Sequence, residues 1–192
     1  MAKESNIVTI INNTLISEQF SASKFKKGNF KAIVELVKTN KEGETFPGVV
    51  ANNGEITRCG LNDIIPFQIY HRVLGAQFEL DEDGFGDFRE KAQTTQMTLI
   101  CIADRERLGV TKEQIVTALS MGFLSQLDAT NRAALSLLTC NITAGSFTTD
   151  AVEVYNREFS IESKWLKPQT VMVALDYIIE TTVNESCIEI CA

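Results

Sequence analysis

The sequence predicts an α+β fold: a mostly antiparallel sheet with a long protruding hairpin, packed against one or two amphipathic helices. Three observations carry that expectation. Phe67–Leu80 and Thr94–Ala103 alternate side chains with the period of a β-strand. Gln169–Val183 alternates over a longer run, with Val171, Val173, Leu175, Tyr177 and Ile179 on one face. Lys112–Leu127 instead repeats Ile115, Leu119, Phe123 and Leu127 at intervals of four, the spacing of one helix face.

Taken in order, Ser5–Ile16 fits either a short helix capped by Ser5 or Asn6, or a strand rich in Ile, Val and Thr. Phe20, Phe25 and Phe30 follow in a polar stretch. Residues 1–29 therefore read as an N-terminal arm whose phenylalanines bury against something. Residues 30–38 alternate as a strand, with a helical reading still open. Asn40–Gly43 is a turn signal. Thr45–Ala51 is a second strand, expected at a sheet edge because Pro47 cannot donate a ladder hydrogen bond. Asn52-Asn53-Gly54 marks a tight turn before a third strand, Glu55–Cys59.

Between the two long strands, residues 81–93 form an acidic, glycine-containing loop, expected to extend the hairpin beyond the domain. Thr111 and Gln114 are spaced as a capping box for the main helix. Gly122 within it weakens the helix by about 1 kcal/mol relative to alanine and would let another element come close. A second helical piece fits Ala129–Leu138. A polar loop is expected after Cys140, then a short helix started by Asp150 and Glu153. Trp165 reads as a core anchor at the entry to the last strand. No linker divides the chain, so residues 1–192 form one domain.

The 192 residues are 44% hydrophobic, enough for a core without disulfides. No apolar run approaches the roughly 20 residues that cross a bilayer, and the start lacks a signal-peptide core. A protein made and kept, or assembled, in the cytoplasm is expected, with its five cysteines reduced. Cys187 and Cys191 are the only close pair and lack two further zinc ligands. The net charge of −7 disfavours general attraction to nucleic acid or anionic membranes. Its distribution is uneven: residues 1–75 hold 9 Lys/Arg and 7 Asp/Glu, residues 76–192 hold 9 and 18. Lys24, Lys26, Lys27 and Lys31 form a basic cluster. Glu79, Asp81, Glu82, Asp83, Asp87 and Glu90 form an acidic one. Such runs are often solvated loops. Two complementary patches also suit contact between identical copies.

Few residues invite catalysis. His71 is the only histidine, and no nucleophile elbow accompanies it. No phosphate-binding loop or dinucleotide fingerprint occurs. Asp81–Ala92 imitates a calcium loop but has Phe85 and Ala92 where oxygen ligands belong. Asp104-Arg105-Glu106-Arg107 reads as a solvated connection or an interface patch. The basic cluster interleaved with Phe25 and Phe30 suggests a single-strand nucleic-acid platform, against the acidic total. No catalytic residue, metal or cofactor is expected.

Met97–Ala103, the helix from Thr111 to Leu127, and Trp165–Pro168 leading into Val171–Val183 together resemble small phage tail-terminator and neck ring proteins, in the style of crAss-like phages. The resemblance is architectural and covers about residues 65–185. It implies a virion subunit, assembled in the host cytoplasm as a ring of identical copies. Its partners would be other neck and tail proteins, and DNA passing through the lumen without sequence-specific contact. The ring interface would use Lys24, Lys26, Lys27, Lys31, Asp81, Glu82, Asp83, Asp87 and Glu90. Two other readings compete. One is a cytoplasmic binding or regulatory module. The other is an enzyme built around His71, Asp104 and Arg105, with a pocket at the end of the Met97–Ala103 strand.

Overall fold

The computed structural model describes residues 2–38, 44–50, 55–80, 90–124, 139–160 and 162–184. Asp81, Glu82, Asp83, Asp87, the turn at 40–43, the Asn52–Gly54 turn, the helical piece 129–138, Leu127 and the Cys187/Cys191 pair lie outside these residues. So do the side chains of Phe123 and Trp165.

The expected α+β architecture is present. Among the described residues, eight strands form two sheets. The main sheet contains β1 (Asn29–Ile33), β5 (Phe67–Leu80), β6 (Glu90–Asp104), β7 (Thr139–Thr148) and β8 (Thr170–Asn184), in the order β1-β5-β6-β8-β7. Only β1 on β5 is parallel; β5–β6, β6–β8 and β8–β7 are antiparallel. A small antiparallel sheet contains β2 (Glu35–Lys38), β3 (Thr45–Val50) and β4 (Ile56–Arg58). Residues 30–38 thus contribute to both sheets.

Helices cover the main sheet. α1 (Ala2–Thr14) continues into a π-turn, Leu15–Gln19, where Phe20 N–H donates to the Leu15 carbonyl. The N-terminal segment is therefore helical, and it begins early enough to place Ser5 and Asn6 inside the helix rather than at its cap. α2 is the single turn Arg105–Leu108, α3 spans Lys112–Leu124, and α4 spans Ala151–Glu158. The capping box forms: Thr111 N–H donates to Gln114 Oε1 at 3.0 Å, and Gln114 N–H to Thr111 Oγ1 at 3.3 Å. Asp150 caps α4 by accepting from Val152 and Glu153 N–H, both at 2.9 Å.

One sheet face packs Phe67, Ile69, Met97, Leu99, Cys101, Val173, Leu175 and Tyr177 against α1, the π-turn and α3. The other packs Tyr70, Ile100, Ile102, Met172 and Ala174 against Val154 of α4, Val34 and Cys59. Over Met97–Ala103 and Met172–Leu175, β6 and β8 are buried on both faces because helices or loops cover the sheet on each side there. Each fully buried Leu or Ile here contributes roughly 1.5–3 kcal/mol relative to exposure. Residues 2–29, read from the sequence as an arm, lie against this sheet. Ile7, Val8, Ile11 and Leu15 are buried in its main core, and Phe20, Phe25 and Phe30 ring Phe67 at centroid distances of 4.8–5.6 Å.

Four expectations need correction. β3 is the middle strand of its sheet, not an edge. The Pro47 carbonyl accepts from Cys59 N–H at 2.8 Å, so the ring nitrogen points the same way, past the end of β4. The missing N–H therefore forfeits only the reciprocal bond to Cys59, just past β4, and leaves the pairing with β2 untouched. Residues 90–93 belong to β6, in register with Leu80 to Phe78 through Lys91 to Gln93, so the loop between the strands is shorter than 81–93. The hairpin does not protrude alone, because β8 pairs with β6 from Glu90↔Asn184 to Asp104↔Thr170. The polar stretch after Cys140 is β7: Thr139–Thr148 has few apolar residues because most of it is exposed at the sheet's edge.

Candidate functional site

His71 is wholly buried, on the face that packs against α1. Its Nε2 is 2.9 Å from Asn12 Oδ1 and its Nδ1 is 2.8 Å from the Tyr177 hydroxyl. The Asn12 amide nitrogen donates to the Lys31 carbonyl at 3.0 Å, which leaves Oδ1 as the acceptor toward histidine. His71 therefore carries its proton on Nε2 and accepts from Tyr177 through Nδ1. Burial pushes the imidazole pKa down to about 3, so the ring is neutral at pH 7. Burial also raises the Tyr177 phenol. This chain ties α1, β1, β5 and β8 together; both ring nitrogens are occupied within the core.

The opposite face carries a second polar network. Glu158, at the end of α4, is buried; its carboxylate accepts from Arg72 Nη1 at 2.6 Å and from the Tyr70 hydroxyl at 3.1 Å. Arg157 Nε stands 3.6 Å from the same carboxylate. Its other nitrogens reach Thr98 Oγ1 at 2.9 Å and Asp176 Oδ1 at 3.5 Å. Burial, then the Glu158 charge, raises the Tyr70 pKa. Burial pushes the nearby Cys59 thiol up to about 11, so it stays protonated and unreactive. No motif in the sequence announces this network. Alternation places Tyr70 and Arg72 on one face of β5, but no local pattern joins them to a helix residue 88 and 86 positions away.

The residues proposed for an enzyme do not converge. Asp104 lines a half-open cleft of about 560 Å³ at the end of β6, floored by Ile102 and Met172 and flanked by the stacked rings of Tyr155 and Phe159. This is where the enzyme reading expects a pocket, yet His71 lies on the other sheet face. The Asp104 carboxylate caps α2, accepting from Glu106 and Arg107 N–H, both at 3.1 Å. Arg107 donates to the carbonyls of Asn62 and Asp63. Arg105 borders a different cleft. Gly109, at φ 60°, closes α2 in the left-handed conformation that favours glycine.

The interface residues separate along the sheet. Lys24, Lys26 and Lys27 are exposed at the Phe67 end of β5, where Phe25 meets Phe67. Lys31 is half-buried in β1. Glu90 begins β6 at the far end, opposite Asn184. The 14 residues of β5 span on the order of 45 Å between these ends. The basic cluster and Glu90 therefore do not meet within one subunit. The nucleic-acid platform also loses its aromatic part, because Phe25 is buried and Phe30 packs on the core. Among the described residues, no cluster of three potential metal ligands occurs and no helix is long and apolar enough to cross a membrane.

The chain matches no family model and no curated protein.

Proposed function

We propose that the chain is a structural subunit of a phage virion neck or tail junction, assembling as a homo-oligomeric ring around a DNA channel. The observation that carries this reading is β7. It is an edge strand of ten residues with no charged residue and no proline. Sheets that must stay single blunt their edges with charges, prolines or short strands. β7 is neither short, charged nor proline-bearing; its one irregularity is a register shift between Ala144 and Phe147, and among the described residues no strand pairs with its outer side. An edge of this kind suits a permanent partner. When the partner is another copy meeting a different surface, the contact is heterologous, and repetition closes a ring wherever the rotation between copies divides a full turn.

Two further features support the reading. The basic cluster and Glu90 stand at opposite ends of the sheet, which suits end-to-end contact between stacked rings. The net charge of −7 suits a channel through which DNA slides without adhering. The cleft at Asp104 favours a second reading, a binding module that takes an apolar group between Tyr155, Phe159 and Met172. Light scattering behind a sizing column, at several protein concentrations, separates the two. A ring-sized species, or growth toward one, supports the virion subunit. A monomer at every concentration, with no closed particles on imaging, favours the module.

A further inference from the structure

We infer that copies of this chain join edge to edge, with β7 of one copy running antiparallel along the Arg72–Leu80 stretch of β5 in the next, so that the sheets continue across the seam. This inference rests on the ring reading and names its contact.

Among the described residues, β5 is covered on its outer side only near its start. β1 pairs with it from Asn29↔Gln68 to Ile33↔His71, and the last bond is Val34 N–H to the His71 carbonyl. The chain then turns away into the small sheet. Past His71, no described strand lies on that side of β5. Leu74, at the bulge between Val73 and Gly75, is half exposed, and Ala76 and Gln77 are exposed. The distal half of the sheet is thus four strands wide, bounded by β5 on one side and β7 on the other.

These two edges match in three ways. The first is direction. β5, β6, β8 and β7 alternate strictly, so β7 runs opposite to β5. Placing the next copy beside β7 in the same orientation brings β5 up in the direction that continues the alternation. The second is level. Gln77 pairs with Thr94, Thr94 with Glu180, and Glu180 with Asn141, so the free stretches lie on the same rows. All four residues share one face, and a seam must keep that face or turn every side chain over. The allowed registers set Gln77 opposite Asn141, or two residues away at Thr139 or Thr143. The third is charge. Thr139–Thr148 has no charged residue. Along Arg72–Leu80 the charged residues are Glu79 and Arg72, and Arg72 is held by Glu158. Neither edge offers the like-charge repulsion that keeps edges apart. Each copy would use both edges, so a closed ring leaves neither of these two edges exposed.

Disulfide trapping tests the seam on the full-length chain. Gln77→Cys is combined in turn with Asn141→Cys, Thr139→Cys and Thr143→Cys, all at exposed positions. Directly opposed strand residues bring Cβ atoms to about 4.5–5.5 Å, close enough to form a bond under mild oxidation. The seam predicts a ladder of covalent multimers in one pair, absent from every single variant and reversed by reductant. Ring-sized particles that cross-link in no pair would overturn the seam while leaving the ring. Asn141→Cys alone giving covalent dimers would replace it with a two-fold β7–β7 contact. Monomers that neither assemble nor cross-link would remove both readings.

Discussion

His71 and Tyr177 are joined by a hydrogen bond of 2.8 Å in the interior of the sheet, with histidine accepting and tyrosine donating. The bond spans β5 and β8, which do not pair with each other, and Asn12 fixes its direction from α1. The single imidazole of the sequence is therefore locked into its uncharged form.

That lock predicts an acid sensitivity. The unfolded chain protonates His71 near pH 6.5, the folded chain only near 3. Between these values the unfolded state binds the extra proton. Stability is complete above about 6.5 and falls as the pH drops toward 3, by up to about 1.4 kcal/mol per pH unit from this group. His71→Gln should be less stable at pH 7 and lose less between pH 7 and pH 4. Urea midpoints of the two proteins across that range would decide; equal pH slopes would sink the assignment.

Gly122 should not tolerate alanine, although alanine favours helices by about 1 kcal/mol. A Cβ there would stand 2.2 Å from Leu15 Cδ2, where the π-turn crosses α3. Overpacking of this kind typically costs 1–3 kcal/mol. Gly122→Ala should lower the urea midpoint of the wild type and raise it in a Leu15→Ala background. The same sign in both backgrounds would show that the close approach does not matter.

The helix α3 and the three long strands were legible because each obeys one period over many residues. The close approach at Gly122 was legible too, since a glycine on an apolar helix face has few other reasons to be there. β7 was not. Thr139–Thr148 faces solvent over most of its length, so its strand character comes from pairing with β8 rather than from an apolar pattern. Pro47 misled because a proline tells which bond is missing, not which side of the strand it faces. The Arg72–Glu158 contact joins residues whose neighbours say nothing of each other, and long-range pairing of that kind leaves no local trace.

Glu158→Gln should be strongly destabilising. It leaves Arg72, with its side chain 16% exposed, without its counter-charge. Breaking a buried pair from one side costs roughly 3–5 kcal/mol. Changing both partners, as Arg72→Met with Glu158→Gln, removes the stranded charge and should recover part of the loss. A thermodynamic cycle by urea unfolding measures this. Additive losses would mean that the two side chains do not act as a pair.

Reversing the exposed cluster, as Lys24→Glu with Lys26→Glu and Lys27→Glu, should change assembly more than folding. Among the described contacts, these side chains touch only one ring, Lys24 Nζ lying 5.4 Å from the Phe25 centroid. That contact contributes about 0.5–1 kcal/mol at an exposed site, so the urea midpoint should move little. If the cluster meets acidic residues of a neighbouring copy, the reversed chain should assemble less at low salt. Its assembly should then improve as salt screens the new repulsion, opposite to the wild type. Light scattering at low and high salt reads both effects. An unchanged ring fraction with an unchanged salt dependence would mean that these lysines only face water, and that the seam between β7 and β5 holds the copies together without them.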